Sequence, residues 1–233
     1  MDLQQLNKEG LIPGPSETEE AFFARVVKAK KCLPVALNDF DAAPTWLDVF
    51  YDNKKLPFWQ AAATWIEDDT PRIQLKKKNL LGYSTEEILS HEAVHAVRFA
   101  FDEPRFEEIL AYHTSKNKFR RFFGPIFQHS WESTLFVVLV LASLIPYLKL
   151  LPWVFLTYLL VRLIRNQKTF SECKKNLSLS IMLRLTDKEI ALFSKWENIL
   201  PYINQAKDKS LRWRMIYVNY FEETQNAKQK TQN

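Results

Sequence analysis

The sequence predicts an α+β chain: a small mixed domain built on a helix pair and a short sheet, then an apolar helical hairpin, then a helical carboxy-terminal region. Three observations predict it. Up to about residue 115, capped helical segments alternate with short β-branched and aromatic runs. Between Thr134 and Ile164 nearly every residue is apolar, with Lys149 and Arg162 as the only charges. From Leu177 onward helical periodicity returns. The boundaries that follow are 16–125 for the mixed domain, 132–165 for the hairpin, which is expected to be transmembrane, and 176–225 for the carboxy-terminal region.

The elements follow in chain order. Ser16 to Lys31 starts on a Ser, places acids in its first turn and ends in lysines, which fits a helix aligned with its own dipole and opened by a Ser16/Glu19 capping box. Pro34–Phe40, Thr45–Tyr51, Pro57–Ile66 and Arg72–Lys76 read as short strands. The alternation at Arg72-Ile73-Gln74-Leu75-Lys76 reads as a half-exposed edge strand. Ser84 with Glu87 opens a helix over about Thr85 to Ala100, since Ile88, Leu89, Ala93, Val94 and Val97 recur at helical spacing. Asp102-Glu103-Pro104 stops it, and Pro104 in a first turn starts a second helix running to about Ser115. A stretch as long and uniformly apolar as Thr134 to Ile164 has a bilayer as its natural surroundings. Pro146 and Pro152 bracket a turn near its middle, and basic residues flank both ends: Lys116, Lys118, Arg120 and Arg121 before it, Arg165, Lys168, Lys174 and Lys175 after it. Equal basic bias favours a hairpin over one span, with both flanks cytoplasmic. Beyond it, Thr186 starts a helix, Pro201 breaks the pattern, and Leu211 to Phe221 forms the last helix.

Composition removes several functions. The net charge of +5 comes from 32 basic residues dispersed among 27 acids, so no basic stripe for nucleic acid is written. Four glycines are too few for a phosphate-cradling loop or dinucleotide fingerprint. Cys32 and Cys173 have no second Cys or His at ligand spacing. The amino terminus lacks a basic start followed by an apolar run, so no cleaved signal is expected there.

The chemistry lies in His91-Glu92-Ala93-Val94-His95, an H-E-x-x-H pattern. On a helix, positions i and i+4 share a face, so both imidazoles can reach one metal ion, and zinc suits that donor type. Glu92 lies about 100° round from His91 and is placed to act as a base. Such a site needs a third protein ligand, and the next helix offers the adjacent carboxylates Glu107 and Glu108. Tyr112 and His113 follow directly and are candidate donors to an oxyanion, with Tyr112 preferred. Arg98 stands about two turns beyond His91, able to hold a substrate carboxylate but better suited to an ion pair with Glu103.

Over about Thr85 to Ser115 the sequence resembles the glutamate-ligand branch of the zincin metallopeptidases, in which H-E-x-x-H is followed on the next helix by a Glu with a small residue three places later. Glu108 with Ala111 matches that pattern. The resemblance implies a zincin-like fold, a Zn2+ cofactor held by His91, His95 and Glu108, and hydrolysis of a peptide bond with Glu92 as base. The separation between motif helix and ligand helix is shorter here, which leaves Glu107 as a second candidate ligand and His113 as a third. The apolar segment close behind the motif also resembles the layout of membrane-embedded stress-response zinc proteases, where the ligand Glu follows the hairpin; Glu172 or Glu189 would then serve. The expected partners are a peptide or protein substrate and membrane lipid, with no nucleic acid. The rival reading is a zincin-like membrane scaffold or regulator without turnover.

Overall fold

The computed structural model describes residues 2–29, 31–54, 56–57, 60–77 and 82–222. It is α+β, with one small sheet and helices before and after it. Helix α1 (Leu3–Lys8) is capped by Asp2, and α2 (Glu19–Lys28) by Thr18. The expected Ser16/Glu19 box does not form. Glu17 is drawn instead to the buried Arg25 (2.7 Å) and to the Gly14 amide (2.8 Å), which leaves residues 15–16 in a turn and moves the cap to Thr18. The helix also ends three residues earlier than its lysine run suggests.

Three strands follow: β1 (Asp48–Tyr51), β2 (Ala62–Glu67) and β3 (Thr70–Leu75), in the order β1-β3-β2. The pairing is parallel between β1 and β3 and antiparallel between β2 and β3. Pro34–Phe40 is not a strand; it holds a short 3-10 turn at Asn38–Phe40 and a single bridge from Leu37 to Ala42. Part of the expected Pro57–Ile66 strand, Phe58 and Trp59, lies outside the described residues. The alternating run Arg72–Lys76 is central, not an edge. Its polar side chains are engaged by neighbours: Arg72 makes exposed ion pairs with Asp48 and Glu67, while the buried Gln74 donates to the Asp52 and Lys54 carbonyls and accepts from Trp65.

Helices α3 (Thr85–Arg98) and α4 (Pro104–Tyr112) form the predicted antiparallel pair. Ala93, Val94, Ala96 and Val97 of α3, with Phe106, Ile109, Leu110 and Ala111 of α4, are buried in the core. Helix α5 (Lys118–Phe123) precedes the hairpin of α6 (Ser130–Ala142) and α7 (Leu151–Asn176). The turn lies where the two prolines place it, with Pro146 opening a 3-10 turn and Pro152 in the first turn of α7. Helix α7 runs on past residue 165 to Asn176. The helical stretch Pro146–Asn176 is long and apolar enough to cross a membrane, with a mean hydropathy of 1.6 in its most apolar window and 17% of that window buried.

Short helices α8 (Leu179–Met182), α9 (Asp187–Phe193), α10 (Leu200–Ala206) and α11 (Leu211–Tyr220) complete the chain. The Thr186/Glu189 capping box opens α9 as its sequence indicates. These helices share one continuous core with the amino-terminal half, from Leu6, Ile12 and Phe22 through Val94 and Ile109 to Ile190, Phe193 and Ile216. Buried arginines tie the halves together. Arg184 donates to the Asn7 side chain (2.5 Å), to the Asn7 and Phe40 carbonyls (each 3.1 Å) and to the Ser180 carbonyl of its own helical turn.

Arg184→Met should therefore lower stability by about 3 kcal/mol, since it strands several buried carbonyls and the Asn7 amide oxygen. A urea titration followed by tryptophan fluorescence reads this, and an unchanged midpoint would show that the two halves do not depend on this tie.

Candidate metal centre

The site is built where α3, α4 and β2 meet. Ser84 caps α3 by accepting from the Glu87 amide (3.0 Å), but only half of the expected box closes. The Glu87 carboxylate turns away to accept from Ser115 and from Arg120 (2.8 Å), linking the start of α3 to the segment after α4. Helix α4 has no cap of its own from Glu103. Asp187 of α9 supplies it, accepting from the Arg105 amide (2.9 Å) and the Phe106 amide (3.2 Å), while Glu103 accepts from the Asp187 amide (2.6 Å).

That exchange sets where the carboxylates of α4 stand. The His91 and His95 Nε2 atoms are 3.2 Å apart. Glu108 reaches both, with oxygens 3.6 Å from His91 Nε2 and 3.5 Å from His95 Nε2. Three donors bound at about 2.0–2.1 Å in a tetrahedral arrangement lie roughly 3.3 Å from one another, so this set fits a single cation. Among the described residues, His91, His95 and Glu108 are the group whose donor atoms all lie within 4.8 Å.

The surroundings orient each donor. His95 Nδ1 meets Glu107 Oε1 at 2.7 Å, which leaves Nε2 facing Glu108. Glu107 thus orients a candidate donor, His95, and stands outside the group of three donors that could hold an ion. His91 has a backbone hydrogen bond with Ala111, and its ring meets Tyr112 edge-on at 4.6 Å. Tyr112 is itself pressed by Gly124, where an added Cβ would come within 2.3 Å of the ring. Glu92, on the neighbouring face, points toward the sheet, and its Oε2 accepts from the Thr64 hydroxyl of β2 at 2.9 Å.

Charge in the site is unbalanced toward acid. Burial works against the charged form of His95, but the carboxylates of Glu108, Glu107 and Glu92 outweigh it and hold its pKa up at about 10. Burial, reinforced by His95, pushes His91 well below the ordinary histidine value. Burial also raises Glu108 to about 7 and lifts Glu92 above the usual carboxylate range. A proton on His95 is the local counter-charge to three carboxylates, and a divalent ion between the three donors would take over that role.

Four sequence-derived candidates stand elsewhere. His113 is buried, with Nδ1 on the Ile109 carbonyl (2.8 Å) and its ring on Phe170, and burial lowers its pKa to about 4. Glu172 pairs with Lys175, and Glu189 with Arg212. Arg98 neither pairs with Glu103 nor faces the cleft. It is fully buried, donates to the Leu183 and Leu185 carbonyls, and has its Nε 3.9 Å behind Glu107. Thr64 and the support from Arg98 had no signal in the local sequence, because their partners are remote along the chain.

The donors open into a cleft of about 980 Å³, bordered by β2 on one side and on another by Phe127, His129 and Trp131 at the foot of α6. Comparisons with family models, with curated proteins and with solved structures find no match. The chemistry of the site accordingly rests on its geometry.

Glu107→Gln should weaken metal binding 10- to 100-fold by loosening His95, whereas Glu108→Ala removes a donor and should weaken it further. Competition against a chromogenic chelator measures both, and equal affinity in Glu107→Gln would remove the orienting role.

Proposed function

We propose that the chain is a zinc-dependent, membrane-anchored peptidase that hydrolyses peptide bonds. One observation carries the reading: two imidazoles and a carboxylate converge at metal-ligand spacing beside a separate buried carboxylate, Glu92, in an open cleft. His91, His95 and Glu108 would hold the ion, and two imidazoles with one carboxylate suit zinc with an open fourth position. When bound, zinc would act as a Lewis acid and bring the pKa of water toward 7.

The chain's own residues supply the rest. Glu92 takes the proton of the attacking water and passes it to the leaving amine; burial raises its pKa toward a value suited to both transfers. Thr64 fixes the carboxylate for that role. Burial raises the pKa of the Tyr112 hydroxyl, which keeps it protonated as a donor to the developing oxyanion. Strand β2 pairs only with β3 among the described residues, and Ala61 to Ile66 border the cleft. An extended substrate would therefore add to the free edge of β2. Both edges of β3, by contrast, are already paired.

Anchoring rests on the hairpin. Val137, Val138, Leu141, Leu144, Trp153 and Val154 are exposed, a band of apolar surface too extensive for water. Fully burying side chains of this kind gains about 1.5–3 kcal/mol each, more in sum than the cost of about 2.5–3.5 kcal/mol for one lysine in a membrane. The basic residues at both ends of the apolar stretch favour cytoplasmic flanks.

Glu92→Gln should retain zinc and lose cleavage of a casein-type substrate by roughly 10²–10⁴-fold. Undiminished cleavage by this variant, or a wild-type chain that binds no metal, would sink the proposal.

A further inference from the structure

We infer that the α6–α7 hairpin dips into a bilayer with anionic headgroups from one side without crossing it, so that the metal-site cleft opens at headgroup level toward polypeptide held at the membrane surface. The choice of substrate rests on the peptidase reading; the mode of insertion does not.

Length excludes a crossing. The stretch Pro146–Asn176 is long and apolar enough for a span. Its last third is not available to lipid, because Asn166, Phe170 and Cys173 are buried against the body of the protein and Arg105 donates to Asn166 at 2.9 Å. At the foot of the hairpin, Glu132 is buried and bound twice by Arg162, at 2.5 and 2.7 Å. Beyond that pair, each arm extends only about 10–12 residues, or roughly 15–18 Å at 1.5 Å per residue. The hydrocarbon core is about 30 Å thick. The chain segments on both sides of the hairpin are packed into one core, so both must lie on the same face of the membrane.

A bilayer is the occupant that suits both the apolar shaft and what surrounds its foot. Gln167 of α7 donates to the Arg121 and Phe122 carbonyls, both at 3.0 Å, which holds α5 at that level. Exposed Phe119, Phe122 and Trp131 belong to these segments with exposed Lys116, Lys118 and Lys168, while Arg120 and Arg121 are half-buried, Arg120 paired with Glu87 and Arg121 donating to the Ser115 carbonyl. Aromatic and basic side chains gathered at the base of an apolar shaft match a headgroup layer. A second copy or a protein partner would cover the shaft but gives no reason for this collar. Lys149, the one charge beyond the Glu132–Arg162 pair, sits in the tip, where hairpin tilt and its own flexible stem bring the ammonium back toward the headgroups. Trp131 and His129 border the cleft as well as the collar, and this fixes the cleft's height.

The test places an environment-sensitive fluorophore on Tyr147→Cys, the tip position that is 95% exposed, in a Cys32→Ser background. The full chain is reconstituted in phosphatidylcholine vesicles containing phosphatidylglycerol, and its metal content is matched to that of the unsubstituted chain. Lipids brominated along the acyl chain should quench at least fivefold more than iodide on either side. Quenching by iodide trapped inside would show a crossing; quenching by external iodide, or by nothing, would show a tip outside the lipid. Each overturns the inference. One peptide is then offered either free or anchored to the vesicles through an acyl chain, and the anchored form should be cut at least tenfold faster, with Glu92→Gln cutting neither. Equal rates would overturn the choice of substrate. Cleavage of neither peptide with a lipid-quenched tip would instead remove the peptidase reading and leave the insertion standing.

Discussion

The structure depends on two helix starts that cap each other across a large separation in sequence. Helix α4 opens with a proline and no local cap, so its first free amides need acceptors. Asp187 provides them, and Glu103 returns the bond to the Asp187 amide. This fixes α4 in height and rotation against α9 while its other side lies along α3. Glu107 and Glu108 ride on that helix one turn further on, so the exchange of caps determines whether they face His95 and His91. Arg98 serves the same placement from within. Its Nη1 donates to the Leu183 and Leu185 carbonyls, which holds the segment before α9 beneath the histidine helix and sets a positive charge behind Glu107. The carboxy-terminal helices are thus part of the frame of the candidate site, although none of their side chains enters it.

Electrostatics and geometry agree at the centre. One buried carboxylate, Glu92, and two partly buried ones, Glu107 and Glu108, near two imidazoles are costly unless positive charge is shared among them. Protonation of His95 meets that demand in part, and the depressed pKa of His91 keeps a lone pair available. Glu92 differs from the other carboxylates in its partner: a neutral hydroxyl from the sheet, which restrains it without supplying charge. Two adjacent residues of one motif therefore have separate environments, a donor facing α4 and a carboxylate facing β2, because a 100° step around α3 divides them between two neighbours.

What the sequence disclosed was whatever depends on a few consecutive residues. The i, i+4 spacing of His91 and His95, the proline at the start of α4, the turn between Pro146 and Pro152 and the Thr186/Glu189 box are local, and each is seen in the structure. Choosing Glu108 over Glu107 needed a resemblance, since adjacent carboxylates on a helix differ only in rotation, and rotation is set by α9. The run Arg72–Lys76 misled because alternation reports a polar face without reporting what covers it; Gln74 satisfies itself on carbonyls of a loop some twenty residues away. Ser16 lost its cap role for a similar reason, since the distant Arg25 claimed Glu17. Thr64 carries no mark in its own strand, and its importance arises only when β2 lies beside α3.

Helix α7 joins the two environments of the chain. Its lower third contributes Phe170 and Cys173 to the same core that holds α4, and its upper part is ringed by exposed Trp153, Val154, Tyr158 and Val161. The change occurs within about one turn, near Arg162 and Asn166, where polar side chains turn inward to Glu132 and Arg105. Polar residues at that level satisfy groups that would otherwise be stranded between an apolar shaft and a packed core. The level is also that of the foot of α6, which walls the cleft. A helix continuous across this boundary leaves little freedom between shaft and body, so the orientation of the hairpin and the direction in which the cleft faces are set together.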